Sequence, residues 1–590
     1  MMSKTKLELT WIGKDKRPRL EPRILLEDPL KSYHATNKVS EDDIFDNKLI
    51  FGDNLLALKA LEREYAGKVK CIYIDPPFNT GSAFEYYDDG VEHSIWLSLM
   101  RDRFEIFKNL LREDGVLAVH LDDSEVAYCK VLLDEIFGRN NYLNTISLTT
   151  NDPSGFKATG ATVFSTANFI LMYAKDKIYK PLKKIFIPKG YDSGYNKYLI
   201  NKQEHYSKWT WIGIAEATAK HLGFDKVSDA KKKYKEYFED EVAEFALNNA
   251  DRIFQLVAIG GGAAIKRKET INKSKLVREQ VFVHPHEDVP DFYIANGRQL
   301  VFYEKRLVEI DGIMTPAELI TDIWTDISWN GIGPEGAVDF KNGKKPEALI
   351  KRVLDMATEP RDLVLDSFGG SGTTGAVAHK MGRRWIMVEL GEHIHSHIIP
   401  RLKWVVDGSD HSGVSENLNW QGGGGFRYYK LAPSLMKKDQ WDNWVINPEY
   451  NQEMLVEAMC KLEGYTYTPS ETEYWNHGKG SETDFIYVTT QTLTDQQLQA
   501  ISEEVGEGRT LLIVASAWRS KNIDRFINLT LKKIPNSIIK ACEWGHDDYS
   551  LNVQNLPMSE PDIEEKTKVK KVKNTQEQSQ VTGDLFGDQT

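Results

Sequence analysis

The sequence predicts an α/β protein built on a mostly parallel β-sheet with helices on both faces. Short apolar runs typical of strands alternate with amphipathic segments typical of helices. Two runs, residues 71–74 and 363–365, are apolar throughout, as expected for strands buried on both faces. They lead into Asp75 and Asp366. Because ligands of open α/β sheets bind at the carboxyl ends of the strands, we expect a functional site at that edge.

The remaining elements follow from the period of the apolar residues. Strands are predicted at residues 49–51, 71–74, 115–121, 144–148, 168–173, 362–366, 385–388, 485–489, 510–515 and 537–542. Helices are predicted near residues 55–61, 95–111 and 124–137, and from residues 345 and 376 onward. Residues 176–322 lack this alternation, which indicates an insert between two halves of the sheet domain.

These changes of pattern divide the chain into six parts. Residues 1–45 form a basic N-terminal arm, which is either solvated or in contact with phosphates. The sheet domain comprises residues 46–175 and 323–430, on either side of the insert. Residues 440–555 form a separate acidic α/β module. Residues 557–590 are polar and of mixed charge, and we expect them to be disordered.

Composition narrows the class of protein. A chain of 590 residues suggests about three domains. The net charge of −12 is mostly C-terminal, since residues 440–590 hold 14 basic and 24 acidic side chains, so basic patches remain possible elsewhere. No apolar run approaches a membrane span, the start lacks a signal-peptide core, and the four cysteines have neither metal-like nor disulfide-like spacing. We expect a cytoplasmic protein without membrane contact or metal.

The first candidate site is the sequence D-P-P-F, which follows the second predicted strand. The Asp75 carboxylate and the Pro76 carbonyl can both accept hydrogen bonds from one amino group. Pro76 and Pro77 stiffen the turn because proline has a fixed φ and no N–H. Phe78 offers a flat face on which a base can stack. The pattern favours an amine-modifying site over a strand that merely ends in prolines.

The second candidate site is a glycine-rich turn after Asp366. Gly370, Gly372 and Gly375 fit G-x-G-x-x-G, and Glu389 ends the next predicted strand about nineteen residues later. Such glycines let the backbone approach a nucleoside, and the acid accepts hydrogen bonds from ribose hydroxyls. The turn lacks the lysine with which a phosphate-binding loop holds phosphates. The carboxylate of Asp366, at the strand end before the turn, could accept hydrogen bonds from the ammonium group of a ligand. S-adenosylmethionine (SAM) therefore fits better than a dinucleotide, while glycines that only pack the core are the alternative.

Two weaker signals lie outside these motifs. Six Lys or Arg residues fall within residues 261–280, and the same insert contains Trp209, Trp211, Phe292 and Tyr293. This combination makes the insert a candidate nucleic-acid surface, although basic stretches are more often simply solvated. The histidines within residues 393–397 have partial metal-ligand spacing, but no cysteine accompanies them, so we interpret them as a solvated helix face.

Together these motifs resemble the β group of amino DNA methyltransferases of bacterial restriction–modification systems, in which D-P-P-F precedes the SAM loop, here D-S-F-G-G-S-G-T-T-G. The stretches FGDNLLALKAL, KNGKKPEALIKRVL and GGGFRYYKL look most like the modification (Mod) subunits of type III systems. The resemblance covers about residues 1–430. It implies a circularly permuted, SAM-dependent methyltransferase (Rossmann-like) fold, with a catalytic half (46–175), a SAM-binding half (323–430) and a target-recognition domain as the insert.

The resemblance also implies residue roles. The catalytic residues would be Asp75, Pro76, Pro77 and Phe78. The SAM-binding residues would be Asp53 at the adenine amino group, Lys345 and Pro346 at the methionine end, Asp366, Phe368, Gly370, Ser371, Gly372 and Thr373 in the loop, and Glu389 at the ribose. Asp53 could instead only cap the helix that follows it. Asn168 departs from the family, where Glu is more usual.

The implied function is methylation of a base flipped out of double-stranded DNA. The acid that opens the tetrapeptide favours adenine N6, because relatives that act on cytosine N4 more often have Ser there. Cytosine-N4 methylation and a SAM-binding specificity subunit that is inactive alone remain alternatives, and a nicotinamide oxidoreductase would leave D-P-P-F unexplained. We expect a homodimer, and any DNA cleavage would need an ATP-dependent restriction subunit.

Overall fold

The structure is a computed structural model, which describes residues 8–77, 93–150, 165–284, 292–310, 312–340, 343–534 and 542–550. Phe78, most of the strand predicted at residues 537–542 and the tail predicted at residues 557–590 lie outside the described residues.

The strands are β1 (Leu25–Glu27), β2 (Tyr33–His34), β3 (Asn47–Phe51), β4 (Val69–Ile74), β5 (Leu111–Leu121), β6 (Tyr142–Thr149), β7 (Ala167–Ala174), β8 (Phe186–Pro188), β9 (Lys197–Leu199), β10 (Trp211–Gly213), β11 (Ile253–Ala258), β12 (Phe282–His284), β13 (Phe292–Ala295), β14 (Arg298–Phe302), β15 (Leu307–Ile310), β16 (Ile313–Leu319), β17 (Ile323–Trp324), β18 (Leu363–Asp366), β19 (Arg384–Glu389), β20 (Gly425–Leu431), β21 (Met436–Lys438), β22 (Trp444–Ile446), β23 (Thr466–Tyr467), β24 (Gly478–Lys479), β25 (Asp484–Leu493), β26 (Thr510–Trp518) and β27 (Leu529–Lys533).

The α-helices are α1 (Asn54–Tyr65), α2 (His93–Leu110), α3 (Val126–Leu133), α4 (Ile214–His221), α5 (Val227–Tyr234), α6 (Phe238–Asn248), α7 (Gly261–Lys266), α8 (Lys268–Leu276), α9 (Glu347–Ala357), α10 (Thr373–Lys380), α11 (Ile399–Val406), α12 (Gln452–Leu462) and α13 (Asp495–Val505). Short 3₁₀ or π-helical turns lie at Asp134–Gly138, Arg139–Asn141, Lys177–Tyr179, Tyr206–Lys208, Lys235–Tyr237, Tyr303–Arg306, Glu335–Ala337, Ile394–Ile398 and Ile523–Arg525. Within the described ranges, every helix is too short or too polar to cross a bilayer.

The largest sheet confirms the predicted α/β architecture. Its strand order is β1-β20-β3-β19-β18-β4-β5-β7-β6-β17, with β2 also paired to β20. The run from β20 to β5 is parallel throughout, whereas β1, β2 and β7 pair antiparallel with their neighbours. Strand β18 lies beside β4 although the insert separates them in sequence, so the two motif-bearing strands are direct neighbours.

Helices cover both faces of this sheet, which explains why its central strands are apolar throughout. One face packs against α1, α2 and α3, and the other against α9, α10 and α11. In β4 the side chains alternate between the two layers: Ile72 and Ile74 face the first, and Cys71 and Tyr73 face the second. A polar residue inside this strand would therefore be buried on either side.

Helix bounds and one C-terminal strand differ from the predictions. Helix α10 begins three residues early because Gly372, in a left-handed conformation (φ +78°), starts it. Helix α3 ends at Leu133 and continues as the π-helical turn Asp134–Gly138. In the C-terminal module the strands predicted at 485–489 and 510–515 are confirmed within β25 and β26. The third parallel strand, β27, was not predicted.

The insert contains two antiparallel sheets of its own, with strand orders β10-β9-β11-β14-β13-β12 and β15-β16-β8. Its aromatic side chains build the core between and beside these strands. Trp209 is 7% exposed and its ring centroid lies 4.8 Å from that of Tyr293. The ring centroids of Trp211 and Phe254 are 5.6 Å apart. These rings are therefore explained by packing and do not by themselves indicate a nucleic-acid surface.

The N-terminal arm is packed onto the protein at Lys14 and Arg23, whereas Lys16, Arg17 and Arg19 are exposed. Arg23 is buried, pairs with Glu21 at 2.9 Å and donates to the Ala432 carbonyl at 2.7 Å. Lys14 pairs with Glu135 at 3.0 Å. Arg23 and Lys14 therefore neutralise the protein's own carboxylates, and for the three exposed side chains the solvated and the phosphate-contacting readings both stay predictions.

A C-terminal strap, residues 542–550, runs back from the acidic module over the sheet domain. The Gly545 N–H donates to Ser434 Oγ at 2.9 Å, and the Arg23 guanidinium donates to the His546 carbonyl at 3.3 Å. Near its end the Arg103 guanidinium donates to the Tyr549 carbonyl at 3.1 Å. The strap thus connects the arm, the module and helix α2.

A network of four fully buried charges lies beneath the glycine-rich turn. Glu347 is paired with Lys380 and with Arg401, each at 2.7 Å, and Lys380 also contacts Asp410 at 2.7 Å. All four side chains are 0% exposed. The network ties the first turn of α9 to the ends of α10 and α11.

We expect Lys380→Met to destabilise the sheet domain strongly. It leaves the carboxylates of Glu347 and Asp410 buried without their ammonium partner, which costs about 3–5 kcal/mol. The matched control is Lys351→Met, which removes a partly exposed i,i+4 pair with Asp355 worth less than about 1 kcal/mol. Urea unfolding of both variants measures the difference, and equal losses of stability would contradict the network's role.

Candidate active site

Four acidic side chains meet at the carboxyl edge of the sheet, as the sequence predicted. Asp53 follows β3, Asp75 follows β4, Asp366 ends β18 and Glu389 ends β19. The strand order β3-β19-β18-β4 makes these four strands consecutive neighbours. The two motifs, almost three hundred residues apart in sequence, therefore form one continuous edge.

The two carboxylate oxygens of Asp75 have different partners. Its Oδ2 is ion-paired with the Lys345 ammonium group. Its Oδ1 is buried and accepts no hydrogen bond within the described part of the chain. Burial raises the pKa of Asp75, and the charge of Lys345 opposes that shift. The Pro77 carbonyl accepts a hydrogen bond from Trp96 Nε1 at 2.8 Å, so α2 holds the proline turn in place.

Asp366 is the most perturbed of the four acids. Burial raises its pKa to about 8, against hydrogen bonds from the Thr374 side chain and the Phe368 N–H, and the nearby charges of Asp75 and Glu389 raise it further. The Phe368 bond is 2.9 Å long. At neutral pH the carboxyl group is therefore mostly protonated, and a ligand cation beside it would favour its ionisation.

The glycines of the turn have two distinct functions. Gly370 (φ +50°) and Gly372 (φ +78°) adopt left-handed conformations that shape the turn. At Gly375 a Cβ would lie 2.3 Å from Met387 Cε, so this glycine allows α10 to pack closely on β19. The packing reading is thus confirmed for Gly375, and the ligand-facing reading of Gly370 and Gly372 stays a prediction.

Glu389 is buried and fixed by the backbone. Its Oε2 accepts the Gly370 N–H at 2.7 Å, and its Oε1 accepts the Gly391 N–H at 2.8 Å. His393 Nε2 also lies 3.5 Å from Glu389 Oε1. The predicted solvated histidine face is wrong for His393, which is 3% exposed and packs against Phe340 at 5.3 Å. No group of described His, Cys, Asp or Glu residues has the arrangement of a metal site.

Asp53 caps α1, the simpler of the two roles weighed for it. Its Oδ1 accepts the Leu56 N–H at 3.0 Å, and its Oδ2 accepts the Tyr549 N–H of the C-terminal strap at 2.8 Å. Burial raises the pKa of Asp53, and Arg103, with Nη2 3.8 Å away, opposes that shift. Any ligand amino group at this position would share Oδ2 with the strap.

The structure brings Lys345 to the first motif, a contact the sequence did not predict. Lys345 and Pro346 are buried at the start of α9, where Pro346 is the N-cap. Neighbouring Lys344 instead donates to the carbonyls of Gly333 at 2.9 Å and Val338 at 3.0 Å. Lys345 thereby joins the helix before the glycine-rich turn to the carboxylate of D-P-P-F.

The remaining loop residues are held by the protein. Ser371 Oγ and Thr373 Oγ1 lie 2.9 Å apart. Arg401 donates to the Ser371 carbonyl at 3.1 Å and to Thr373 Oγ1 at 2.8 Å. Phe368 is half-buried against the core on the α1–α3 face.

Sequence reasoning missed three of the residues that build the site. Arg401 and Glu347 carry charge within otherwise apolar helix faces, and that breach of the pattern is the signal that could have identified them. Trp96 carried no such signal, because an indole inside an amphipathic helix reads only as core.

Comparison with known proteins agrees with this geometry. The family described as DNA methylase matches residues 69–400. The probable type III restriction-modification enzyme HindVI Mod subunit of Haemophilus influenzae is 34% identical over 66% of this chain and 54% of its own length. The EcoP15I Mod subunit of Escherichia coli is 24% identical over 85% of each chain.

Among solved structures, a putative DNA modification methylase of Thermus thermophilus, complexed with S-adenosyl-L-methionine, is 14% identical over 65% of this chain and 97% of its own, with a TM-score of 0.29. The alignment with the Haemophilus subunit spans only about half of that relative. The family match spans more than half of this chain and includes both motif-bearing strands. The chain therefore belongs to the DNA methylase family.

Proposed function

We propose that the protein is a site-specific DNA methyltransferase, which transfers the methyl group of SAM to the N6 amine of adenine within a short target sequence. It acts as the modification subunit of a type III restriction–modification system. The observation that carries the proposal is the meeting of the Asp75 turn and the Asp366 turn on adjacent parallel strands, inside the region matched by the DNA methylase family.

The cofactor is SAM, and the charges of the edge suit it. Asp366 is a buried carboxyl group with a raised pKa. An ammonium group beside it would favour its ionised form and so lower that pKa. Ribose hydroxyls would donate to the Glu389 carboxylate at the end of β19, and a ligand amino group would share Asp53 Oδ2 with the strap. When bound, SAM supplies an electrophilic methyl group on a sulfonium.

The side chains of the first motif prepare the target amine. The lone pair of an adenine amino group is delocalised into the ring, so the nitrogen is a poor nucleophile. Hydrogen bonds from this group to Asp75 and to the Pro76 carbonyl orient the lone pair and stabilise the positive charge that develops on nitrogen. Trp96 keeps the turn rigid by holding Pro77. Phe78 stacks on the flipped base.

DNA recognition is assigned to the insert, whose basic helices α7 and α8 carry Lys266, Lys268, Lys273 and Lys275. The base is flipped because its amino group is inaccessible in a duplex. We assign the protein to the cytoplasm, where bacterial DNA lies. The relatives' names as Mod subunits support a separate restriction subunit as partner, and the C-terminal module is the candidate for that contact or for a homodimer.

Nucleoside mass spectrometry of DNA incubated with the pure protein and SAM tests the proposal. We expect N6-methyladenine with the intact protein and none with Asp75→Ala, because that variant removes the acceptor of the amine. Binding of SAM by Asp75→Ala should stay largely intact. The control Asp326→Ala, which removes an exposed carboxylate paired with Arg352, should remain active.

The other results have definite meanings. N4-methylcytosine would keep the mechanism and overturn the choice of base. Methylation by Asp75→Ala at the normal rate would contradict the role of the D-P-P-F turn. SAM binding without methylation of any DNA by the intact protein would favour a specificity subunit that is inactive alone.

We expect SAM binding to release a proton between about pH 6 and 7.5. In the free protein Asp366 is mostly protonated there, since its pKa is about 8, and pairing with the SAM ammonium group requires its ionised form. Affinity should therefore rise with pH by up to about tenfold per unit. Isothermal titration calorimetry in buffers of different ionisation enthalpy counts the proton.

The variant Asp366→Asn is the control for this linkage. It cannot ionise, so its weaker binding should be independent of pH over the same range. Binding by the intact protein that neither releases a proton nor changes with pH would show that Asp366 does not face the ammonium group.

A further inference from the structure

The Asp75 carboxylate is held asymmetrically. Oδ2 is engaged by Lys345, whereas Oδ1 is buried and lacks a donor among the described residues. A buried carboxylate oxygen without a donor has lost its hydrogen bonds to water and gained none in return, which is unfavourable. An orphaned acceptor at the carboxyl end of a central strand is therefore a position that a ligand donor completes.

Among the residues that the structure describes, the other titratable groups around Asp75 supply no second cation. Asp366, at the end of neighbouring β18, is an acid. Tyr73, in β4, has its pKa raised well above the usual value by burial and by the charge of Asp75. His120, in β5, has its pKa lowered well below the usual value by burial and by the charge of Lys345. Of these four neighbours, Lys345 is the one whose side chain forms an ion pair with Asp75.

We propose that Lys345 is a positioning residue for methyl transfer, which fixes Asp75 through Oδ2 so that Oδ1 receives the hydrogen bond from the target amino group. This inference rests on the proposed function and extends it. It assigns Lys345 to the reacting end of the site, whereas the family resemblance assigned it to the methionine end of SAM.

Two physical effects follow from this contact. The torsion that rotates a carboxylate is soft, so without the ion pair the two oxygens could exchange places and the amine would lose a fixed acceptor. The ammonium charge also keeps the carboxylate ionised in a buried position. A protonated carboxyl group would offer one acceptor fewer and would stabilise the developing positive charge less well.

The test is the pH dependence of kcat at saturating SAM and DNA for Lys345→Met, which keeps the length of the side chain and removes its charge. We expect the acid limb of the profile to move upward by about one pH unit or more. A shift of one unit lowers kcat about tenfold on that limb, and raising the pH restores it. Lys345→Arg should keep most of the normal profile.

Lys344→Met is the matched control. Lys344 is the adjacent buried lysine, but it donates to backbone carbonyls and does not contact Asp75. Its loss should lower stability without moving the acid limb, because the midpoint of a pH profile does not depend on the fraction of protein that is folded.

A second readout uses the free protein. Lys345→Met leaves a buried carboxylate without its cation and should lower the unfolding temperature, and adding Asp75→Asn should recover most of that loss. Additive effects of the two substitutions would show that the ion pair is not formed.

The outcomes separate this inference from the proposed function. If the intact protein methylates no DNA, the proposed function fails before any variant is compared. If it is active and the acid limb of Lys345→Met coincides with its own, the positioning role is wrong. If the only defect of Lys345→Met is weaker SAM binding, Lys345 contacts the cofactor, as the family resemblance implies, and the positioning role is wrong.

Discussion

The burial of four carboxyl groups at one edge of a sheet is the constraint on which the site depends. Parallel strands bring their carboxyl ends together, so Asp53, Asp366 and Glu389 are buried at one edge and Asp75 is mostly buried beside them. The charges of Asp75 and Glu389 act on Asp366. Each needs a donor or a cation, or else must keep its proton. The donors and cations that the surrounding protein provides differ from one acid to the next.

Asp53 has two backbone N–H donors and lies near Arg103, and Glu389 has two backbone N–H donors. Asp75 has Lys345 on one oxygen and no described donor on the other. Asp366 is surrounded by neutral donors and like charges and retains its proton near neutral pH. Asp75, with one oxygen lacking a described donor, and Asp366, which keeps its proton, are the acids that the target amine and the SAM ammonium group would meet.

The sequence predicted the architecture and the location of the site, because both depend on local signals. The apolar runs that end at Asp75 and Asp366, and the glycines at fixed spacing, can be read directly from the sequence. The ion pair between Asp75 and Lys345 joins residues 270 positions apart, and no periodicity encodes it. The tryptophans of the insert show a second reason why prediction fails. A tryptophan such as Trp209 looks the same in the sequence whether it packs in a core, as the structure shows, or faces a ligand.

Buried charge was the other failure of sequence reasoning. Sequence reasoning gave neither Glu347 nor Arg401 a role in the site, whereas the structure pairs them inside the domain, where Arg401 holds the carbonyl of Ser371 and the hydroxyl of Thr373. Such a network is weak evidence of stability, because apolar residues can replace it at no loss. Its geometric effect is to fix the position of the turn that the cofactor meets.

The C-terminal strap has a consequence for the timing of synthesis. The hydrogen bond between Tyr549 and Asp53 joins residues 496 positions apart. At translation rates of roughly 5–20 residues per second, Asp53 therefore waits about 25–100 s for one of its two donors. Until the strap emerges from the ribosome, the first strand and helix of the sheet domain carry a buried carboxylate with an unfilled oxygen. The finished edge is a property of nearly the whole chain, so no nascent intermediate that ends before the strap contains it.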